Sequence, residues 1–136
     1  MTDTWYSPGS IVFTPKQTLW LLEHYDELRN GNWPVQAGSY VDPAIAKPSP
    51  SRHGPYEAAV IASSEISRRL EDCGHDGVMV LLHYAYGQTV DAIARYFRLD
   101  ERAVSYRMQM VLRRISRMEY RAGGYRRWNS ARGEKG

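Results

Sequence analysis

Apolar residues recur at helical spacing in five stretches of this chain, and no strand-like alternation of apolar and polar positions persists anywhere. Leu21, Tyr25 and Leu28, with Leu22 alongside, form the stripe of a first helix. Thr14-Pro15-Lys16-Gln17 marks its start, a capping hydroxyl ahead of a first-turn proline with a glutamine three residues on, and Asn30-Gly31 ends it. A second helix is predicted from Pro55 to about Asp72, with Ala59, Ala62, Ile66 and Leu70 on one face and a break at Gly74. Val78, Leu81, Leu82 and Ala85 predict a third, stopping at Gly87. Thr89 caps a short fourth helix with Val90, Ile93, Ala94 and Phe97 inward. The turn Arg98-Leu99-Asp100 then leads to a fifth, whose Val104, Met108, Val111, Ile115 and Met118 alternate at steps of four and three. The expected fold is all-α, about five helices, the last two forming a helix-turn-helix.

This pattern divides the chain into an arm (1–13), an N-terminal helix (14–30), a Pro- and Ser-rich loop or linker (31–54), a helical domain (55–122) with the helix-turn-helix at 89–118, and a basic tail (123–136). The arm is expected either to pack or to stay loose. The 31–54 stretch, with Pro34, Pro43, Pro48 and Pro50, is long for a connection inside a small domain. At 136 residues there is material for one packed core. No apolar run is long enough to span a bilayer and no secretory signal is present, so a cytoplasmic protein without membrane contact is expected. Cys73 is the single cysteine, which excludes an internal disulfide. The four histidines are scattered, so neither a metal nor any other cofactor is expected.

The net charge of +3 changes meaning once it is split along the chain. Residues 1–94 carry 6 Lys and Arg against 11 Asp and Glu, a net of −5, whereas residues 95–136 carry 12 against 4, a net of +8. Fifteen of the 18 basic residues are arginine, whose planar fork suits phosphate oxygens and guanine edges. Nucleic acid is therefore the leading partner class, and the fifth helix is where it would bind. Opposite its apolar stripe lie Arg102, Tyr106, Gln109, Arg113, Arg117 and Tyr120. Arg102, Ser105, Tyr106 and Gln109, in its first turns, are the candidates for base edges: Arg can hold guanine, Gln adenine, and Tyr a thymine methyl or a phosphate. Arg107, Arg113, Arg114 and Arg117 lie further along or on the flanks and are candidates for phosphate contacts.

The stretch LLHYAYGQTVDAIARYFRLDERAVSYRMQMVLRRI resembles region 4 of bacterial sigma factors, and Val104 to Met108 with Val111 and Arg113-Arg114-Ile115 is similar to the recognition helix of the small extracytoplasmic-function group. The likeness spans about Val78 to Met118. It implies a sigma region 4-type helix-turn-helix whose second helix enters the major groove of duplex DNA. These families usually carry glycine where Arg98 stands, so Arg98 either adopts a left-handed backbone or the turn is shaped differently. Nothing between Trp5 and Gly74 resembles the promoter-melting domain of a complete sigma factor. The layout as a whole, from LWLLEHYDELRNGNWP to the Arg-rich end, resembles the Q-type late antiterminators of lambdoid phages and small sigma-like prophage regulators. That likeness implies transcription control in a phage or prophage, with engagement of RNA polymerase.

Other classes are less well served by the residues. There is no Gly-rich phosphate loop, no nucleophile elbow and no helical pair of metal-ligating histidines, so an enzyme is not expected. A phage packaging protein of small-terminase type, or a sigma-like interaction module without specific DNA binding, remains as the alternative. A monomer or weak dimer would favour transcription control, and a large ring would favour packaging. Trp20 and Trp33 read more readily as core than as a partner surface, and Glu23, Asp26 and Glu27 as a solvated helix face.

Overall fold

The computed structural model describes residues 4–35, 55–118 and Tyr120; the 36–54 part of the linker and the basic tail lie outside the described residues. Within them the protein is all-helical and holds no strand. The helices are α1 (Pro15–Glu23), α2 (Tyr25–Arg29), α3 (Pro55–Asp72), α4 (His75–Val80), α5 (Val90–Phe97) and α6 (Glu101–Ile115). A π-helical turn, Leu81–Ala85, continues α4. No helix among the described residues is long and apolar enough to cross a membrane.

Local signals set several of these boundaries. Thr14 Oγ1 accepts the Gln17 N–H at 3.2 Å while Gln17 Oε1 accepts the Thr14 N–H at 3.3 Å, a reciprocal capping box that starts α1. The same Gln17 side chain is buried, accepts the Val12 N–H at 2.8 Å and donates to the Ser10 carbonyl at 2.9 Å. One glutamine thereby fixes both the helix start and the arm before it. The arm packs rather than hanging loose, and three indole N–H groups hold it. Trp5 donates to the Pro34 carbonyl, Trp20 to Thr4 and Trp33 to Tyr6, at 2.8, 3.1 and 2.8 Å. Trp20 is buried and Trp33 half-buried, so both belong to the core, as expected.

The helix expected over 14–30 is interrupted at His24, whose backbone leaves the helical region and whose ring lies 4.8 Å from that of Trp20. Its stripe is otherwise as read: Leu21, Leu22, Tyr25 and Leu28 are buried, and so are Ala59, Ala62, Ile66 and Leu70 of α3. The third helix differs in register. Val78 is exposed, and Leu81, Leu82 and Ala85 are only half-buried, whereas Gly77, Met79 and Val80 face the core. The cause is a close approach, since a Cβ on Gly77 would overlap the carbonyl oxygen of Leu70. Glycine lets α4 lie against α3, and this contact rather than the apolar period decides which face turns inward.

α6 packs chiefly on α4 and α5 and also touches α1 and α3. Val104, Met108, Val111 and Ile115 are buried as expected, but Met118 is exposed because the helix stops at Ile115. Arg69 of α3 ends it. This guanidinium, 3% exposed, donates from Nη1 to the carbonyls of Ile115 and Arg117, both at 2.7 Å, and from Nε to Glu65 at 2.8 Å. Its plane lies over Phe13 at 3.9 Å and beside Tyr120 at 4.9 Å. Burial alone would raise the Glu65 carboxyl, but hydrogen bonds from Arg68 and Arg69, and their charges, outweigh it and hold the group below its ordinary range.

Removing Arg69 leaves two helix-end carbonyls without their side-chain donor in a largely dry site and takes one of two arginine partners from Glu65, which keeps Arg68. Arg69→Ala is expected to cost about 3 kcal/mol, read as a lowered urea midpoint with an unchanged slope. A loss below about 0.5 kcal/mol, the range of ordinary surface changes, would contradict this role.

Candidate nucleic-acid interface

The helix-turn-helix is assembled from two short-range caps and one strained joint. Thr89 Oγ1 accepts the Ala92 N–H at 3.0 Å and starts α5; Asp100 Oδ1 accepts the Ala103 N–H at 2.6 Å and starts α6. Between them the Leu99 N–H reaches back to the Ala94 carbonyl at 2.9 Å, the long bond of a Schellman-type helix end. Such an end needs a left-handed residue, and here it is Arg98, at φ 58 and ψ 47. Leu99 then tucks against the core, as do Val90 and Phe97, while Ile93 and Ala94 are buried. α5 is in this way clamped on the core side of α6.

The outer face of α6 is open. Arg102, Ser105, Gln109 and Arg113 are exposed, and Tyr106 keeps 48% of its surface in solvent. All four base-edge candidates therefore stand on the solvent side of one helix, with Arg113 about one turn beyond Gln109. The side chains of Arg102 and Arg113 make no hydrogen bond or ion pair with another described residue. Arg107 is exposed too but leans toward α4, its Nη1 3.5 Å from Asp76 Oδ1.

Two expectations are corrected, the phosphate role of Arg114 and the outer-face position of Tyr120. Arg114 is buried at 7% exposure, its guanidinium 4.7 Å from the Tyr120 ring, and is withdrawn as a phosphate candidate. It lies roughly 80° from Val104 around the helix, on the flank where Met110 is also buried, so the covered arc is wider than the four-three stripe. Tyr120, expected on the outer face, instead folds back once α6 has ended. Its hydroxyl is 2.6 Å from Asp72 Oδ2, and burial, then the bond to Asp72, pushes its ionisation well above the usual tyrosine range. Arg117 is exposed but lies beyond the helix end, and its carbonyl is held by Arg69.

Elsewhere, Cys73 is buried and its thiol is pushed up to about 12, first by burial and then by the charge of Asp72, which leaves it protonated and unreactive at neutral pH. No group of three or more His, Cys, Asp or Glu converges among the described residues. A cleft of about 810 Å³ runs between the arm and α3, lined in part by Ile11, Phe13, Trp33 and Ile61, with no residue of α6 on its walls.

The left-handed backbone at Arg98 costs about 1–2 kcal/mol relative to glycine, partly offset by glycine's greater freedom when unfolded. Arg98→Gly is thus expected to stabilise the fold by about 0.5–1 kcal/mol, seen as a raised thermal midpoint; a lowered midpoint would show that the turn does not carry this strain. No family model, no curated protein and no solved structure matches the chain.

Proposed function

We propose that this protein binds duplex DNA by laying the exposed face of α6 in the major groove, with α5 bracing it, and that it controls transcription in a phage or prophage. The observation that carries this reading is the composition of that face. Arg102, Ser105, Tyr106 and Gln109 stand together in solvent on the first turns of a helix whose opposite side is sealed into the core. These are the donors, acceptors and aromatic edge that base pairs present partners for in a major groove. The N-terminal position matters, because in this docking geometry it is the first turns of the second helix that reach base edges. Further along, Arg113 supplies a cation with no partner among the described residues, suited to a phosphate, and Arg107 and Arg117 flank it.

The net charge of +8 over residues 95–136 adds a sequence-independent attraction to the polyanion. The acidic remainder, net −5 over residues 1–94, is left for a protein partner, and RNA polymerase is the partner that the antiterminator-like layout suggests. Recovery of host RNA polymerase on the immobilised protein, enhanced by a DNA fragment carrying its preferred site, is the expected outcome; recovery of DNA without polymerase would leave a DNA-binding protein that acts by another route.

On a selected duplex, Arg102→Ala and Tyr106→Ala are each expected to weaken the preferred site by about 1–3 kcal/mol while sparing random sequence, so that discrimination falls. Arg113→Ala is expected to weaken all sequences alike and to lower the salt dependence by about one unit of slope. Anisotropy titrations on specific and random duplexes separate the two behaviours, and identical behaviour of all three variants would contradict the division into base and phosphate readers.

A further inference from the structure

Five described residues occupy the left-handed backbone region, and three of them are glycines: Gly31, Gly74 and Gly87. The two exceptions, Phe13 and Arg98, have nearly the same φ, 59 and 58, and very different surroundings. The strain at Phe13 is offset inside the molecule, where its ring lies 3.9 Å from the buried guanidinium of Arg69. At Arg98 nothing comparable exists. Its side chain is exposed and makes no hydrogen bond, ion pair or ring contact with another described residue. Glycine would satisfy the Schellman end at lower cost, so the Arg98 side chain contributes nothing to the fold that would explain its presence. Non-glycine residues held in the left-handed region cluster where ligands are bound.

From this we infer that Arg98 is a phosphate-binding residue, gripping the DNA backbone beside the groove that α6 enters; the inference rests on the DNA-binding reading above. Three features of the position support it. Arg98 stands two residues ahead of the Asp100 cap, at the end of α6 that bears Arg102. Of the neighbouring cations, Arg95 is engaged with Asp91 at 3.2 Å and Arg107 with Asp76 at 3.5 Å, whereas Arg98, like Arg102, is unengaged among the described residues. A guanidinium is also the side chain best matched to a phosphate, through two parallel N–H donors. Held on a fixed left-handed turn instead of a mobile loop, it would set the register of α6 in the groove without reading sequence itself.

The test uses the full chain and a labelled random-sequence DNA duplex, titrated across a sodium chloride series. Losing one phosphate contact lowers the slope of log affinity against log salt by about 0.9. Arg98→Gly and Arg98→Asn, which both tolerate the left-handed backbone, are expected to show that lower slope and a several-fold loss of affinity at low salt. Arg98→Lys is expected to keep the native slope. The thermal midpoint of Arg98→Gly, at or above that of the native chain, shows that any loss of affinity does not come from unfolding. Equal slopes for the native chain and Arg98→Gly would overturn the inference while leaving the role of α6 intact. Failure of the native chain to bind the duplex at any salt concentration would overturn both.

Discussion

The buried guanidinium of Arg69 is the interaction on which the rest of the arrangement depends. It sits on α3, yet its donors close the C-terminal end of α6 and its faces meet Phe13 of the arm and Tyr120 beyond the helix. A charge with 3% exposure is costly to bury, and it is tolerated because a carboxylate, two carbonyls and two aromatic faces surround it. The consequence is geometric. α6 has a fixed end as well as a fixed start, so the azimuth of its exposed face is set relative to α3 and the arm, not only to its neighbour α5.

The start of α6 is fixed by different means. Asp100 caps it, Leu99 anchors the turn in the core, and the left-handed Arg98 makes the tight reversal from α5 possible. One end is thus held by a buried charge and the other by a strained backbone. What lies between is a two-faced helix: Val104, Met108, Val111 and Ile115 are sealed, and Arg102, Tyr106, Gln109 and Arg113 are open. A rigidly held face of this kind presents its polar groups at fixed angles, which recognition of a groove needs and which a merely solvated helix surface does not.

Sequence reasoning reached the parts of this structure that local chemistry decides. The caps Thr14, Thr89 and Asp100 announce themselves because each side chain bonds a backbone group only three residues away. The open face of α6 was likewise legible, since helical geometry alone puts Arg102, Tyr106, Gln109 and Arg113 opposite Val104. Where distant elements decide, the pattern misled. Met79 and Val80 face inward, and Val78 outward, because Gly77 admits the Leu70 carbonyl, a contact no period encodes. The sequence places Tyr120 on the outer face and Arg114 among the phosphate candidates, because nothing in their own neighbourhood reveals that they face each other near a buried arginine on α3. Met118 failed for the same reason, as Arg69 stops the helix before that residue is reached.

Backbone amide shifts, followed by NMR as a DNA duplex is added to the full chain, test the central claim most directly. The account predicts that the largest changes fall on residues 98–109, the turn and first turns of α6, with α1 and α2 left unmoved. Changes centred on α1, α2 or the arm–α3 cleft, or none at all, would contradict it.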